Sequence, residues 1–262
     1  MIESILIYIG IVIIALLGFW GKALSASGVL AAVAVGSAIY VGFDLKGLVL
    51  LGTFFGTSTI WSKFRKDRKK KLEEKLEKSD QRDFVQVMVN GGAAAVISLL
   101  YFITEYHLFE KLFIISLAAS NSDTWASEIG TLSKGKPYLL TTFRKVERGT
   151  SGAVSMLGTL SALIGSLLIV YVAHLLSFSL TGVDIMIVTI LGFMGNLIDT
   201  VLGAVIQITY SCPVCHLETE RTTHCRTRTV PLKGCSLFNN DMVNGLSNVL
   251  AICLGLLWYA WV

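Results

Sequence analysis

Charged residues are scarce in this chain. Asp, Glu, Lys and Arg supply 15% of its 262 residues and are concentrated in a few blocks, whereas hydrophobic residues supply 53%. Apolar segments recur along the whole length, a distribution that argues against a soluble protein with a single buried core. The composition therefore predicts an all-α polytopic integral membrane protein, with residues 1–262 forming one membrane-embedded domain.

A basic segment is also missing ahead of the first apolar run. The chain begins Met-Ile-Glu-Ser and no small-residue cleavage site follows the run, so we expect a retained span and not a signal peptide. We predict about seven or eight transmembrane helices joined by cytoplasmic loops. The candidate spans are 5–20, 24–41, 47–61, 84–103, 108–126, 152–178, 183–207 and 243–261. Because the third and fifth are short, we expect them to be half-buried or broken.

Basic residues are distributed very unevenly between the predicted loops. If segment 62–83 is cytoplasmic, 20 of the 22 Lys and Arg lie on that side, as the positive-inside rule requires. We therefore expect a cell-membrane protein with its active site facing the cytoplasm and both termini outside. Segment 62–83 carries ten basic and six acidic residues, which is typical of a solvated helix that fixes topology or holds anionic headgroups. Lys63, at the end of a span, is placed to meet a phosphate.

Four predicted spans carry polar residues along one helical face. At about 100° per residue, Asn121, Asp123 and Glu128 fall on one arc of the fifth span, directly after an apolar run. The fourth, seventh and eighth spans repeat this pattern with Asn90, Asn196, Asp199, Asp241 and Asn244. Hydrogen bonds between helices would account for the amides and hydroxyls, but not for the acids.

The acids need compensation, because an unpaired carboxylate at membrane depth costs at least ~2.5 kcal/mol. No Lys or Arg within the spans is placed to neutralise them. A bound cation is the simplest compensation, and carboxylate and amide oxygens suit Mg²⁺. We assign four catalytic residues to this magnesium, which they would bind directly or through water: Asp123, Glu128, Asp199 and Asp241.

Segment 127–151 is predicted to be a basic phosphate-binding loop. It ends at Gly149-Thr150-Ser151-Gly152, where a long apolar helix is expected to begin, and helix starts with a Thr or Ser cap bind phosphate. The alternative is a basic loop that only fixes topology. The residues assigned to phosphate or substrate are Lys63, Asn90, Asn121, Lys134, Lys145, Arg148, Thr150, Ser151, Asn196 and Asn244.

Cysteines are few, and four of the five lie in segment 208–240, which we predict to be a cytoplasmic loop. Cys212, Cys215, His224 and Cys225 have the ligand types of a structural zinc site, although their spacing matches no standard zinc finger. The sequence leaves open whether this loop holds zinc or is metal-free.

Several motifs in order carry a family resemblance. NSDTWASEIG, KVERGTSGAVSMLG, GNLIDTVLGA and FNNDMVNGLSN, together with KALSASGVLAA and CPVCHLETERTTHC, resemble the integral membrane family known as domain of unknown function 92. That family includes transmembrane protein 19 and phytyl-phosphate kinase. The resemblance implies an all-helical membrane kinase that converts a prenyl monophosphate to its diphosphate, with CTP as the expected donor. Relatives often have Asp-Ser where this chain has Asp199-Thr200, so a hydroxyl is kept.

The residue pattern and the resemblance together favour a prenyl-phosphate kinase with Mg²⁺ as cofactor, and the resemblance implies CTP as the donor. The expected partners are a nucleoside triphosphate, an isoprenoid monophosphate and membrane lipid, with oligomerisation left open and no nucleic acid. An ion-coupled small-solute transporter is the alternative from another class, and a phosphate loop on one side only argues against it. A lipid-alcohol kinase or cytidylyltransferase would keep the same site and change the acceptor.

Overall fold

The computed structural model describes residues 2–65 and 81–261. Within these residues the chain forms seven helices joined by loops that contain only short strands. The helices are α1 (Ile2–Trp20), α2 (Ala26–Lys63), α3 (Phe84–Thr104), α4 (Leu108–Gly130), α5 (Met156–Leu175), α6 (Gly182–Val205) and α7 (Asn240–Trp261). Six of the seven, all except α4, are long and apolar enough to cross a membrane. The all-α polytopic class predicted from the sequence is therefore confirmed, with slightly fewer candidate membrane spans among the described residues than the seven or eight predicted.

Helix α2 is a hairpin of two antiparallel arms, 26–43 and 45–63. The chain reverses at Asp44, whose backbone angles are φ 50° and ψ −147°. Both ends of α2 meet Arg82: its carbonyl accepts from the Ser25 amide at 3.0 Å, and its guanidinium donates to Thr59 Oγ1 at 3.1 Å. The predicted spans 24–41 and 47–61 correspond to these two arms.

Helix α4 is the centre of the bundle. Every residue from 112 to 122 is buried, and α4 packs against α2, α3, α5, α6 and α7. A helix covered on all sides by protein can carry polar groups that a lipid-facing helix cannot, because neighbouring backbones supply their hydrogen bonds. This explains why α4 is less apolar than the six spanning helices. The structure shows α4 as unbroken and extending four residues beyond the predicted 108–126.

The polar end of α4 lies with the long loops, at what we call the loop end of the bundle. Contacts tie the neighbouring segments together there: Ser62 Oγ donates to Glu128 at 2.7 Å, and Ser151 Oγ donates to the Gly203 carbonyl at 2.9 Å. At the opposite end, Lys111 pairs with Asp184 at 2.9 Å. Lys111, one of the two basic residues expected outside the cytoplasm, is therefore neutralised within the bundle.

The loops contain short antiparallel strands that the sequence did not predict. β1 (Tyr138–Leu139) pairs with β2 (Ala153–Val154). The second loop holds a sheet of order β4-β3-β7, formed by Glu218–Thr219, Thr209–Ser211 and Val230–Lys233, and a hairpin of β5 (Thr223–His224) with β6 (Thr227–Arg228).

One predicted helix boundary needs correction. The prediction that a helix begins at Gly152 with a Thr150 or Ser151 cap is wrong: α5 begins at Met156, and Ser155 Oγ caps it by accepting from the Gly158 amide at 3.1 Å. The chain forms strand β2 before it turns into the helix, which delays the start. The charged block 62–83 lies largely outside the described residues.

Candidate functional site

A polar cavity of about 290 Å³ opens at the loop end, between α4, α6 and the loop that joins α4 to α5. It brings together seven of the residues assigned from the sequence, although they are spread over three segments of the chain. These residues are Asp123, Glu128, Arg148, Thr150, Ser151, Asn196 and Asp199.

The acidic centre of the cavity is formed where α4 and α6 touch. The carboxyl groups of Asp123 and Asp199 lie within hydrogen-bonding reach of each other, and Asn196 Nδ2 donates to Asp123 Oδ1 at 3.1 Å. The helices approach this closely because Gly195 faces Ala119, where an added Cβ would lie only 2.6 Å from the alanine Cβ. Helical spacing then places Asn196 and Asp199 on the same face of α6.

Helix α7 holds Asp199 from the other side. Ser247 Oγ donates to Asp199 Oδ1 at 3.3 Å, and the Asn244 amide, oriented to satisfy its neighbours, donates to the same oxygen at 2.9 Å. Asn244 therefore acts on the site through Asp199. Asp241, which was assigned to the metal, is buried in the first turn of α7 and does not line the cavity.

The wall opposite the acids is the segment 148–152. Gly152 has φ +80°, and a Cβ there would lie 2.5 Å from the Ala204 backbone nitrogen, so only glycine permits this approach to α6. Ser151 Oγ donates to the Gly203 carbonyl at 2.9 Å. These contacts fix Thr150 and Ser151 at the cavity edge although they do not cap a helix.

Two cavity residues, Gln207 and Glu220, were not assigned to the site from the sequence. Ser151 Oγ donates to Gln207 Oε1 at 2.7 Å, and Gln207 Nε2 donates to Glu220 Oε1 at 2.7 Å. Glu220 comes from the Cys/His loop, so the 208–240 loop folds back far enough to line the cavity. The sequence signal that could have identified Glu220 was its position midway between two pairs of potential metal ligands.

The described lining of the cavity carries an excess of negative charge. It includes the carboxylates of Asp123, Glu128, Asp199 and Glu220, against the single guanidinium of Arg148. Among the described residues no three acidic side chains each bring a carboxylate oxygen within 4.8 Å of the other two, so the four predicted metal residues do not form one closed shell. Two adjacent carboxylates nevertheless suit Mg²⁺, which keeps several waters and is often held by one or two acids plus phosphate oxygens.

The remaining assigned residues stand apart from this cavity. Asn121 is fully buried and links helices, accepting from Thr57 Oγ1 at 3.2 Å and donating to the Gly165 carbonyl at 2.7 Å. Lys63 donates to the Gly21 carbonyl at 2.6 Å, and the Lys145 ammonium lies 5.7 Å from the centre of the Tyr138 ring. Lys134 and Asn90 also lie outside the polar cavity.

A second cavity, of about 530 Å³, is apolar and lies between α1, both arms of α2, and α3. Aliphatic side chains, phenylalanines and glycines form most of its wall. Its polar lining comes from Arg82, just before α3, and from Gln86 and Asn90 in the first two turns of α3. The polar groups are thus confined to the loop end of an otherwise hydrophobic chamber.

The cysteine motif forms a compact cluster in the second loop. The ligand atoms of Cys212, Cys215, His224 and Cys225 all lie within 4.8 Å of one another. A hydrogen bond from the Cys215 backbone amide lowers the pKa of the Cys212 thiol to about 6. The hydrogen bond between the Cys225 and Cys215 sulfurs raises the pKa of the Cys225 thiol to about 11. Cys235 and Cys253 are exposed and lie outside the cluster.

Comparison with known proteins places this architecture in a family. The family described as integral membrane protein DUF92 matches residues 9–252. The chain is 34% identical to an uncharacterized membrane protein of Methanocaldococcus jannaschii over 77% of this chain and 83% of that protein. No solved structure matches the chain.

Two relatives come from Arabidopsis thaliana. The chain is 31% identical to Protein PGR, over 66% of this chain and 68% of the relative. It is 30% identical to Protein VTE6, chloroplastic, over 70% of this chain and 56% of the relative. The family match spans nearly the whole chain, so this chain belongs to the DUF92 family of integral membrane proteins.

Proposed function

We propose that this protein is a membrane phosphotransferase of the prenyl-phosphate kinase type. In this reaction the γ-phosphoryl group of a nucleoside triphosphate, expected to be CTP, passes to an isoprenoid monophosphate and gives the diphosphate. The observation that carries the proposal is the polar cavity, where an acidic pair faces a hydroxyl- and guanidinium-bearing segment at the end of a membrane bundle. Family membership, and the motif resemblance to phytyl-phosphate kinase, support the same reaction.

The cavity offers the groups that phosphoryl transfer needs. Asp123 and Asp199 would hold Mg²⁺, which when bound would offset the negative charge of phosphate oxygens. Arg148, Thr150 and Ser151 would donate hydrogen bonds to the phosphates and fix their orientation. Asn196 and Asn244 would orient the two acids, since each amide donates to one of them.

The apolar cavity is our candidate for the acceptor's hydrocarbon chain. Its volume of about 530 Å³ is within the usual ligand-pocket range of roughly 300–1,000 Å³. Two residues one turn apart on α2 connect the cavities. Thr59 accepts a hydrogen bond from Arg82 of the apolar cavity, and Ser62 donates one to Glu128 of the polar cavity. A chain bound among α1, α2 and α3 would thereby place its charged head at the loop end, near the phosphate site.

A monophosphate is a better acceptor for this site than a free alcohol. The described residues that line the polar cavity include no histidine, and an alcohol gains about 10²- to 10⁴-fold from a general base. A monophosphate needs no such base, because its second pKa of about 6 leaves it ionised at neutral pH. Carboxylates can serve as bases in kinases, so relative kcat/KM for phytol and phytyl monophosphate is the discriminating measurement.

The transporter alternative makes a different experimental prediction. A kinase forms product in detergent without any gradient, whereas a transporter moves solute only across a sealed bilayer. Purified protein should therefore be assayed in detergent with CTP and ATP against prenyl monophosphates, and in proteoliposomes for solute uptake. Solute accumulation together with no nucleotide consumption in detergent would replace the kinase proposal. The proposed cytoplasmic orientation of the cavity is tested separately by labelling Cys235, an exposed thiol of the 208–240 loop, from one side of the membrane.

A further inference from the structure

The geometry of the Cys/His cluster is that of a zinc site. The Sγ atoms of Cys215 and Cys225 are 3.8 Å apart, and His224 Nδ1 lies 3.4 Å from the first and 3.3 Å from the second. Zinc binds sulfur at about 2.3 Å and nitrogen at about 2.0–2.1 Å, so tetrahedral ligands are about 3.8 Å apart for two sulfurs and about 3.6 Å apart for sulfur and nitrogen. The observed separations match this arrangement around a central ion.

The backbone around Cys225 supports the same interpretation independently. Cys225 and Arg226 form the two-residue turn between β5 and β6, with φ +50° and +60°. Two successive positive φ angles favour Asn-Gly and are costly for larger residues. This turn points the Cys225 thiol at Cys215, and a metal–thiolate bond would offset the conformational cost.

Glu220 lies between the two ligand pairs, five residues after Cys215 and four before His224. It follows β4, whose pairing with β3 starts the loop at the end of α6. Its carboxylate accepts from Gln207, which in turn accepts from Ser151. The loop that the cluster would fold therefore reaches the wall of the polar cavity.

We propose that Cys212, Cys215, His224 and Cys225 bind one structural zinc ion, which folds the 208–240 loop and holds Glu220 in the polar cavity. Zinc stabilises the loop by joining the ends of a segment that has only short strands of its own. Glu220 is then a positioning residue for Gln207 and Ser151. This inference concerns the loop's structure and does not depend on which reaction the cavity performs.

The test is metal analysis of the purified full-length protein with matched serine variants. We expect about one zinc ion per chain in the wild type, and loss of this zinc in Cys225→Ser. Cys235→Ser is the control, because Cys235 is an exposed thiol of the same loop outside the cluster. Cys225→His, which restores a zinc ligand, should recover zinc.

Hydrogen exchange then tests the consequence for Glu220. Removing zinc by Cys225→Ser should speed amide exchange in β3 and β4 by about tenfold or more, while α6 stays protected. Wild-type protein that contains no zinc while its thiols are fully reduced would overturn the zinc site. Zinc loss with unchanged exchange at Glu218–Thr219 would overturn the positioning role of the metal.

Discussion

Replacing Asp199 by Asn should stabilise the metal-free protein and abolish its activity. The side chain keeps its size and an oxygen that can accept from Ser247 and Asn244, but it loses the negative charge next to Asp123. Two like charges about 4 Å apart repel by about 1 kcal/mol in water and about 4 kcal/mol at an effective dielectric constant of 20. For a chain of this size each kcal/mol shifts Tm by about 2–4 °C, so the apparent Tm should rise by several degrees in chelator.

The same substitution should remove the response to magnesium. Wild-type protein should gain apparent Tm when Mg²⁺ is added, because binding to the folded state stabilises it, whereas Asp199→Asn should gain little. Metal stabilisation of transition-state charge is worth several kcal/mol, so turnover should fall by about 100-fold or more. Differential scanning fluorimetry in detergent and nucleotide turnover measure both effects.

Asp184→Asn is the matched control on the same helix. Asp184 lies at the opposite end of α6, where its carboxylate pairs with Lys111 at 2.9 Å and accepts from Tyr259 at 2.8 Å. Breaking a fully buried ion pair costs about 3–5 kcal/mol. This pair is partly exposed at Lys111, so the variant should be destabilised by less than that, lose Tm and keep its kcat. If Asp199→Asn also lost Tm in chelator, or kept near-normal turnover at saturating Mg²⁺, the acidic pair would not be the metal site.

Three further substitutions test the two cavities. Gly52→Leu should raise KM for long prenyl phosphates more than for short ones, because Gly52 lines the apolar cavity and no atom lies within 4 Å of an added Cβ. Gly56→Leu is the control: an added Cβ there also has no atom within 4 Å, but Gly56 lies outside the cavity, so KM should not change. Gly152→Ala should lower the free energy of unfolding by about 2–5 kcal/mol, because it adds positive-φ strain and overpacks against Ala204. An unchanged Tm would contradict the close approach of Gly152 to α6. Glu220→Gln should lower kcat less than Asp199→Asn, since Glu220 accepts a hydrogen bond from Gln207 and we propose it as a positioning residue. Equal losses of kcat would place Glu220 in the metal shell.

The fold class and the acidic centre could be predicted because they follow from local patterns. Apolar runs gave the helices, and the helical period put Asn196 and Asp199 on one face of α6. Carboxylates without basic partners marked the site, because burying charge in a membrane requires compensation. The structure brings Asp123 and Asp199 together in one cavity, and the cation that they would share stays a prediction.

Other features depended on contacts between distant segments. The α2 hairpin requires a single residue, Asp44, in an uncommon backbone conformation that no local pattern marks. Asn121 is an amide on the polar face of its helix, which is why the sequence assigned it to the site. In the structure it is fully buried and forms hydrogen bonds to neighbouring helices. Glu220 reaches the cavity only because the second loop folds back, which depends on long-range strand pairing between β3 and β7.

We propose that the acidic cavity transfers a phosphoryl group from a nucleotide to a lipid-linked phosphate. The most direct test follows the γ-phosphate of labelled CTP in purified protein in detergent, with geranylgeranyl or phytyl monophosphate as acceptor. We predict labelled prenyl diphosphate that forms without any gradient, requires Mg²⁺, and is lost in Asp123→Asn and Asp199→Asn. Equal or faster labelling of the free alcohol would contradict the acceptor assignment, and product formation that survives both substitutions would contradict the site.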